Sequence, residues 1–539
     1  MDHNDKAPLT VIDKLRRFCY IGKHDEPVYV PTTFDLTAKF IYEGLHSLCR
    51  EASGSEMLDC LSSVLAASNA EHLPRTDESM LVLAVYLSSK KDEKERTLVR
   101  AHFPSLVRAD HDLFLFVKLT KEIQKLRNLR SPLSHTVCKA VIAWYREQPL
   151  DRLLHMWSVA SEAVREEHRS LLYRCHYTDK EFDAQIKAAL SLFFTRPADI
   201  LKWPTALSPV MSCKSIIMGI AKVRLVNSAK DALPLISEHS LSYEHVPRNV
   251  VKSSELVTAL LPTMSYEHLF HSFPKFRRFY MPHKFTNSDY VRQLFDEAKL
   301  RASNMQPIRF LLKGKREANA KWLRGVNRPP CSRTHNLMQS LLKKSFGLNK
   351  PLGLRIHVTL NLESTYLRKS LNGRWRSIGY LDTIVALSFG YYKSEEQVDV
   401  HYWANKEGQL KKLNWTKEMS MDEAKDDCEA VEVSKSKQSL LSILDSALMD
   451  KNNTYDLFLV LVPAATRGNP HNSANELVDK LDKYRDVFHV DSKFVIVSLR
   501  QQHGSMKYGN KRRENILELC NLSELTPNII NAFALGKFQ

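Results

Sequence analysis

Between Gly347 and Pro351 the chain changes its pattern, and no single fold absorbs both sides of that change. From residue 9 to about 347 the apolar residues recur at helical spacing. In His135–Glu147, for example, Val137, Ala140, Val141 and Trp144 fall at i, i+3, i+4 and i+7. Segments such as "DLFLFVKLTKEIQKL" and "SSELVTALLPTMS" behave alike, and short polar joints between them predict a stack of antiparallel helix pairs without a clean repeat period. Gly347 suits a helix C-cap, and Pro351 bars continuation. Beyond it, short β-branched runs ("LRIHVTL", "QVDVHYWA", "DLFLVLV", "SKFVIVSL") alternate with helical patterns ("SLLSILDSALM", "SANELVDKLDKYRDVF"), which predicts a mostly parallel sheet covered on both faces. The expected architecture is multidomain, α followed by α/β, with domains at 1–350 and 351–539.

The positive charge is not evenly spread. Residues 1–200 hold 28 Lys+Arg against 28 Asp+Glu, and residues 351–539 hold 25 against 24, whereas residues 201–350 hold 25 against 9. An excess concentrated in one block points to a polyanionic partner, where an even excess would point only to solubility. Two stretches carry it. "FPKFRRFYMPHKF" interleaves Lys275, Arg277, Arg278 and Lys284 with aromatic rings, a composition suited to phosphate contact with base stacking. "KGKREANAKWLRGVNR" gathers Lys313, Lys315, Arg316, Lys321, Arg324 and Arg328 around the single acid Glu317.

Other function classes find no support. The nine cysteines are scattered with no C-x-x-C, so neither a zinc ribbon nor a redox dithiol is signalled, and buried free thiols are expected. G-x-S-x-G, a Walker loop and H-E-x-x-H are missing, so no enzyme is expected. The start lacks the apolar core of a signal peptide, and no run reads as a bilayer span. A monomer in the cytoplasm is expected, with nuclear entry left open.

Five local segments, in order, make the chain resemble the TROVE-module Ro ribonucleoproteins, the sixty-kilodalton Ro autoantigen family. "LRRFCYIG" (Leu15–Gly22) is similar to the family's L-R-R-F-L-x-x-G, and "KAVIAWY" (Lys139–Tyr145) to its K-A-I-x-x-W-Y. "HRSLLYRCH" (His168–His176) resembles H-K-D-L-L-R-L-x-H, while "RRENILELCNL" and "NIINAF" resemble the closing motifs. The resemblance implies a HEAT-like helical-repeat ring, the TROVE module, joined to a von Willebrand factor A-like Rossmann-type domain. It implies binding of small noncoding Y RNA and of single-stranded 3′ ends of misfolded RNA, in a ribonucleoprotein serving RNA quality control.

Residue by residue, the resemblance points to contacts at Lys121, His135, Lys139, His168 and His176. Arg169 falls where the family has an RNA-contacting lysine. Tyr173 falls on the family's arginine, with Arg174 one step further and therefore turned by about 100° on the helix. The family's Gly-rich loop falls on the second basic stretch, where the glycines are mostly lost and Trp322 remains.

The strand end "LRIHVTLNLEST" falls where A-type domains hold Mg²⁺ with Asp-x-Ser-x-Ser. Here it reads Asn361-x-Glu363-x-Thr365; the threonine of the second loop falls on Ser436, and the third loop on Val462-Pro463-Ala464. Mg²⁺ needs several oxygen ligands with carboxylate charge. Both aspartates are gone, so a degenerate site without metal or other cofactor is expected. A second function class stays open: a metal-independent scaffold that recruits protein partners through the A-like domain.

Overall fold

The computed structural model describes residues 9–31, 39–66, 73–89, 92–128, 133–177, 180, 182–276, 279, 288–318, 332–372, 375, 377–404, 408–431, 433, 438–464, 474–504 and 514–538. They form two compact units that do not follow chain order. One comprises Met1–Asp35, Ser63–Ser79 and Leu300–Gln539; the other comprises Leu36–Ser62 and Met80–Lys299. The change of texture at 350 is therefore not where the packing divides. Helices Pro307–Ala318 and Ser332–Ser345 pack on each other, and the first of them packs on helix Tyr380–Ser394 of the α/β unit. Periodicity shows that a helix has an apolar face, but not which element covers it.

The α/β unit is built on a seven-stranded sheet in the order β1-β7-β6-β5-β2-β3-β4. The strands are β1 (Val28–Tyr29), β2 (Ile356–Leu360), β3 (Val398–Trp403), β4 (Leu410–Lys412), β5 (Leu457–Val462), β6 (Lys493–Ser498) and β7 (Ile516–Cys520). Every pairing is parallel except β3 with β4. β2, β5, β6 and β7 are buried along their whole length, as expected of strands covered on both faces. β1 comes from the start of the chain and pairs with β7 in the register Val28↔Glu518 and Tyr29↔Leu519. A two-residue strand has no readable alternation, so this seventh strand had no sequence signal.

Charged groups set the frame of the sheet. The Glu395 carboxylate accepts from the backbone N–H of Leu352, Gly353 and Leu354 at 2.7, 2.9 and 3.3 Å, fixing the segment that leads into β2. Arg355 grips Asp456 at the mouths of β2 and β5, with guanidinium contacts of 2.9 and 2.7 Å and a backbone N–H contact of 2.9 Å. On β2 and β3, His357 and His401 stack with ring centroids 4.3 Å apart and planes within 3°. Burial pushes both imidazoles below their ordinary pKa, His401 to about 4, with the Asp399 carboxylate opposing the shift at His401.

In the helical unit many helix starts follow one rule. Ser134, Ser161, Asp183, Ser228, Ser253 and Ser288 each accept a backbone N–H of the first turn of the helix that follows. Trp144, Tyr145, Trp157, Phe103, Phe116 and Phe193 are fully buried here, including the residues whose spacing marked the apolar face of His135–Glu147. The run Thr205–Leu225 has the length and mean hydropathy (1.3) of a bilayer span, contrary to the sequence reading. It consists of a 3₁₀ stretch, Thr205–Cys213, with Pro209 inside, running into helix Lys214–Leu225, which carries Lys222 and Arg224 in its last turn. Arg224 is committed to the unit's interior: its guanidinium donates to the carbonyls of Trp157 (2.8 Å), Ser158 (2.7 Å) and Ala160 (3.2 Å) and lies 4.8 Å over the Trp157 ring. It closes the carboxyl end of helix Leu150–Val159, where carbonyls have no partner within the helix.

Two outcomes follow. Arg224→Ala should destabilise the helical unit by roughly 2–4 kcal/mol, since three carbonyls lose a buried donor; chemical denaturation would measure it, and a change within error would refute the capping role. For the histidines, the folded pKa lies below the unfolded value, so the unfolded chain binds more protons as pH falls. Their contribution is complete above about pH 6.5 and is lost on descent toward pH 4; for His401 it amounts to about 3 kcal/mol. Stability against pH should be flatter for His401→Phe than for the wild type across that window, and parallel curves would dismiss the effect.

Candidate nucleic-acid interface

The helical unit holds two neighbouring cavities whose walls carry five of the basic residues proposed for it. The larger, about 1070 Å³, lies among helix Glu93–Ala101, helix His135–Glu147 and the end of helix Glu162–Arg174. Its cations are Arg100, Lys139, Arg146 and Arg174, joined by His135 and His176, against one acid, Glu147. The smaller, about 710 Å³, lies between helix Asp110–Leu126 and helix Glu162–Arg174; Lys118, Lys121, Lys125 and Arg174 face Glu122, Glu166 and Glu167 there. Arg174 lines both.

Ion pairing separates these cations into two kinds. Lys125 pairs with Glu122 at 2.8 Å, and Arg100 lies 3.6 Å from Glu93. Lys121, Lys139 and Arg174 make no ion pair among the described residues. Partial burial and the nearby Arg174 charge push the Lys121 ammonium below the usual lysine pKa, against the opposing pull of the Glu167 carboxylate. Tyr173, the neighbour of Arg174, is 71% exposed, with Phe194 against its ring edge at 5.4 Å between centroids. Unpaired cations beside an open aromatic face suit phosphate and base respectively.

Of the residues singled out from sequence, Lys121, His135, Lys139, Arg174 and His176 meet at these two cavities, with Tyr173 beside them. Arg174, one helical step past the family's arginine position, is the residue the two cavities share. His168 is a correction. It is 0% exposed, shares a 2.7 Å hydrogen bond with the Tyr145 hydroxyl and is enclosed by the Phe114 and Phe193 rings, so it is a core residue. Arg169 is taken up by Glu162 (2.8 Å) and Glu166 (2.5 Å). Lys275 donates to the Arg248 carbonyl at 3.1 Å, and Lys315 pairs with Asp382 at 2.7 Å, which also holds Lys425 at 3.0 Å. Lys313 is half-buried in helix Pro307–Ala318. Arg277, Arg278, Lys284, Lys321, Arg324 and the side chain of Arg316 lie outside the described residues.

Sequence reasoning passed over Arg100, Lys118 and Arg146. Arg146 had a signal: His135, Lys139, Ile142 and Arg146 are spaced i, i+4, i+7 and i+11, one face of a helix opposite its apolar side. Lys118, Lys121 and Lys125 are likewise a single stripe. Arg100 had none, because only the packing of its helix brings it to the wall.

The A-like loop does not fit a magnesium ion. Asn361, at the end of β2, is fully buried, and its Oδ1 accepts the Glu363 N–H at 3.0 Å, while its Nδ2 has no partner. Thr365 donates to the Glu363 carboxylate at 2.6 Å. Pro463 offers only its carbonyl, which accepts from the Arg500 N–H at 2.9 Å, and Ser436 lies outside the described residues. One carboxylate already satisfied by a hydroxyl, next to an amide nitrogen, is a poor setting for a hard dication. Among the described residues no cluster of His, Cys, Asp or Glu could hold a metal.

Comparison with known proteins follows the same outline. Residues 355–534 match the family model described as the Ro60 vWA domain. The crystal structure of the Deinococcus radiodurans RO (RSR) protein superposes with a TM-score of 0.76 at 19% identity, covering 98% of this chain and 100% of that one. A search of curated protein sequences gives no match.

Millimolar Mg²⁺, or a chelator, should leave the melting temperature within about 1 °C of its starting value, because a ligand stabilises only in proportion to its binding. A saturable rise would restore the metal site. The chain shares its fold with the Deinococcus radiodurans RO (RSR) protein over nearly its whole length, and its residues 355–534 are similar to the Ro60 vWA domain.

Proposed function

We propose that this protein binds RNA through the two basic cavities of its helical unit and acts as a binding protein, not an enzyme. The observation that carries the reading is the set of unpaired cations, Lys121, Lys139 and Arg174, gathered at adjoining walls next to the exposed Tyr173 ring. Unpaired Lys and Arg side chains gain most from phosphate, since binding releases the counterions condensed on the nucleic acid without first breaking an internal ion pair. A single-stranded segment can also stack a base on Tyr173. The Ro relationship supports a finer reading: a small noncoding, Y-like RNA, and the single-stranded 3′ ends of misfolded RNA, bound as part of RNA quality control in the cytoplasm. The altered A-like loop fits a domain kept for its fold, without metal-dependent adhesion.

The test is binding of a labelled stem with a single-stranded 3′ tail at several salt concentrations. Affinity should fall steeply with salt, and the doubly reversed variant K139E/R174E should bind at least about tenfold more weakly, with the slope of log affinity against log salt reduced by about one to two. Weak binding indifferent to both salt and tail would dismiss RNA and leave the A-like domain as a protein-recruiting scaffold.

A further inference from the structure

The larger basic cavity contains a feature that RNA binding does not use. Cys138 and Cys175 both line it, one from helix His135–Glu147 and the other from the C-cap of helix Glu162–Arg174. Both are free thiols. Cys138 is partly exposed, whereas Cys175 is 6% exposed, beneath it. The Cys138 thiol also donates to the Arg174 carbonyl at 3.9 Å, within one residue of its partner. Other cysteines of the chain, such as Cys19, Cys49, Cys60, Cys428 and Cys520, are buried.

We propose that Cys138 and Cys175 are an oxidant-sensitive pair that closes to a reversible disulfide at the wall of this cavity, with Cys138 attacking and Cys175 resolving. The inference needs only the two thiols and their access to the cavity, and does not depend on RNA binding. The chemistry balances with hydrogen peroxide as the oxidant. The Cys138 thiolate attacks a peroxide oxygen; an S–O bond forms, the O–O bond breaks, and the departing hydroxide takes the thiol's proton as water. The Cys175 sulfur then attacks the Cys138 sulfenic acid; the S–S bond forms, the S–O bond breaks, and a second water leaves with the Cys175 proton. Two electrons pass from the sulfurs to peroxide, and a dithiol reductant reverses the step.

The division of roles follows from the surroundings. The neighbouring Cys175 side chain favours the Cys138 thiolate and, against partial burial, brings its pKa down to about 7. The Cys138 side chain and deeper burial push the Cys175 thiol up. Nucleophilic attack belongs to the thiolate, so the accessible, acidified sulfur reacts first. The disulfide would tie the last turn of helix Glu162–Arg174 to helix His135–Glu147, between Lys139 and Arg174.

The full reduced chain would be treated with one equivalent of hydrogen peroxide, its remaining thiols alkylated, and its peptides mapped by mass spectrometry without reduction. The expected product is a Cys138–Cys175 cross-linked peptide that dithiothreitol dissolves. Cys175→Ser should instead trap a dimedone adduct at Cys138. At pH 7 untreated wild-type Cys138 should alkylate about tenfold faster than Cys213, which is also partly exposed, a readout that needs no variant. Both cysteines emerging fully alkylated after peroxide, or Cys138 linked to some other cysteine, would overturn the proposal.

Discussion

A parallel sheet exposes a row of unpaired N–H and C=O groups at each edge, and this one has to cover them for its unit to stand alone. At one edge β4 turns antiparallel against β3. At the other, β7 is covered by two residues from the opposite end of the chain, with the Pro27 carbonyl accepting the Glu518 N–H at 2.9 Å. The same closure brings helix Val11–Ile21 to the carboxyl terminus, where Tyr20 stacks on Phe538 at 4.8 Å. The α/β unit is consequently not a carboxyl-terminal appendage. Its first strand, its last strand and its terminal helix are all set by one short parallel pairing, and truncating the first thirty or so residues would open its edge.

In the helical unit the comparable constraint is electrostatic. A buried guanidinium is costly unless its donors are used; Arg224 uses its Nη2 to close a neighbouring helix, while its Nη1 finds no partner among the described residues, and burial and the Arg165 charge lower its pKa to about 9. Arg169 meets the condition through two glutamates. Against that background, cations left without an acid are distinctive. Lys121 and Arg174 sit where internal pairing would have been available to a protein with no anionic ligand, since Glu122, Glu166 and Glu167 line the same cavity, and Lys139 shares its own cavity with Glu147. The functional reading rests on this contrast, more than on the total charge.

The His168 correction shows why a resemblance carries position better than role. The residue keeps its place in "HRSLLYRCH", yet its neighbours Tyr145, Phe114 and Phe193 enclose it. A histidine in a helical pattern offers no clue whether it lies on the wet or the dry face when the flanking residues are charged on both sides. At Arg174 a one-residue offset suggests a turned side chain, but at the last turn of a helix the long arginine lines both cavities.

The sequence by itself determined the class of each region, the apolar face of helices such as His135–Glu147, the capping serines and aspartates, and the loss of both acids from the A-like loop. These are properties of residues within a few positions of one another, and local hydrogen bonding and periodicity are enough to reveal them. Only the tertiary structure decided that Val28–Tyr29 completes the sheet and that Lys315 belongs to Asp382 while Arg174 belongs to no acid among the described residues. It also decided that two cysteines 37 positions apart line one cavity. Pairing of this kind depends on which distant residues approach one another, and neither composition nor periodicity along the chain carries that information.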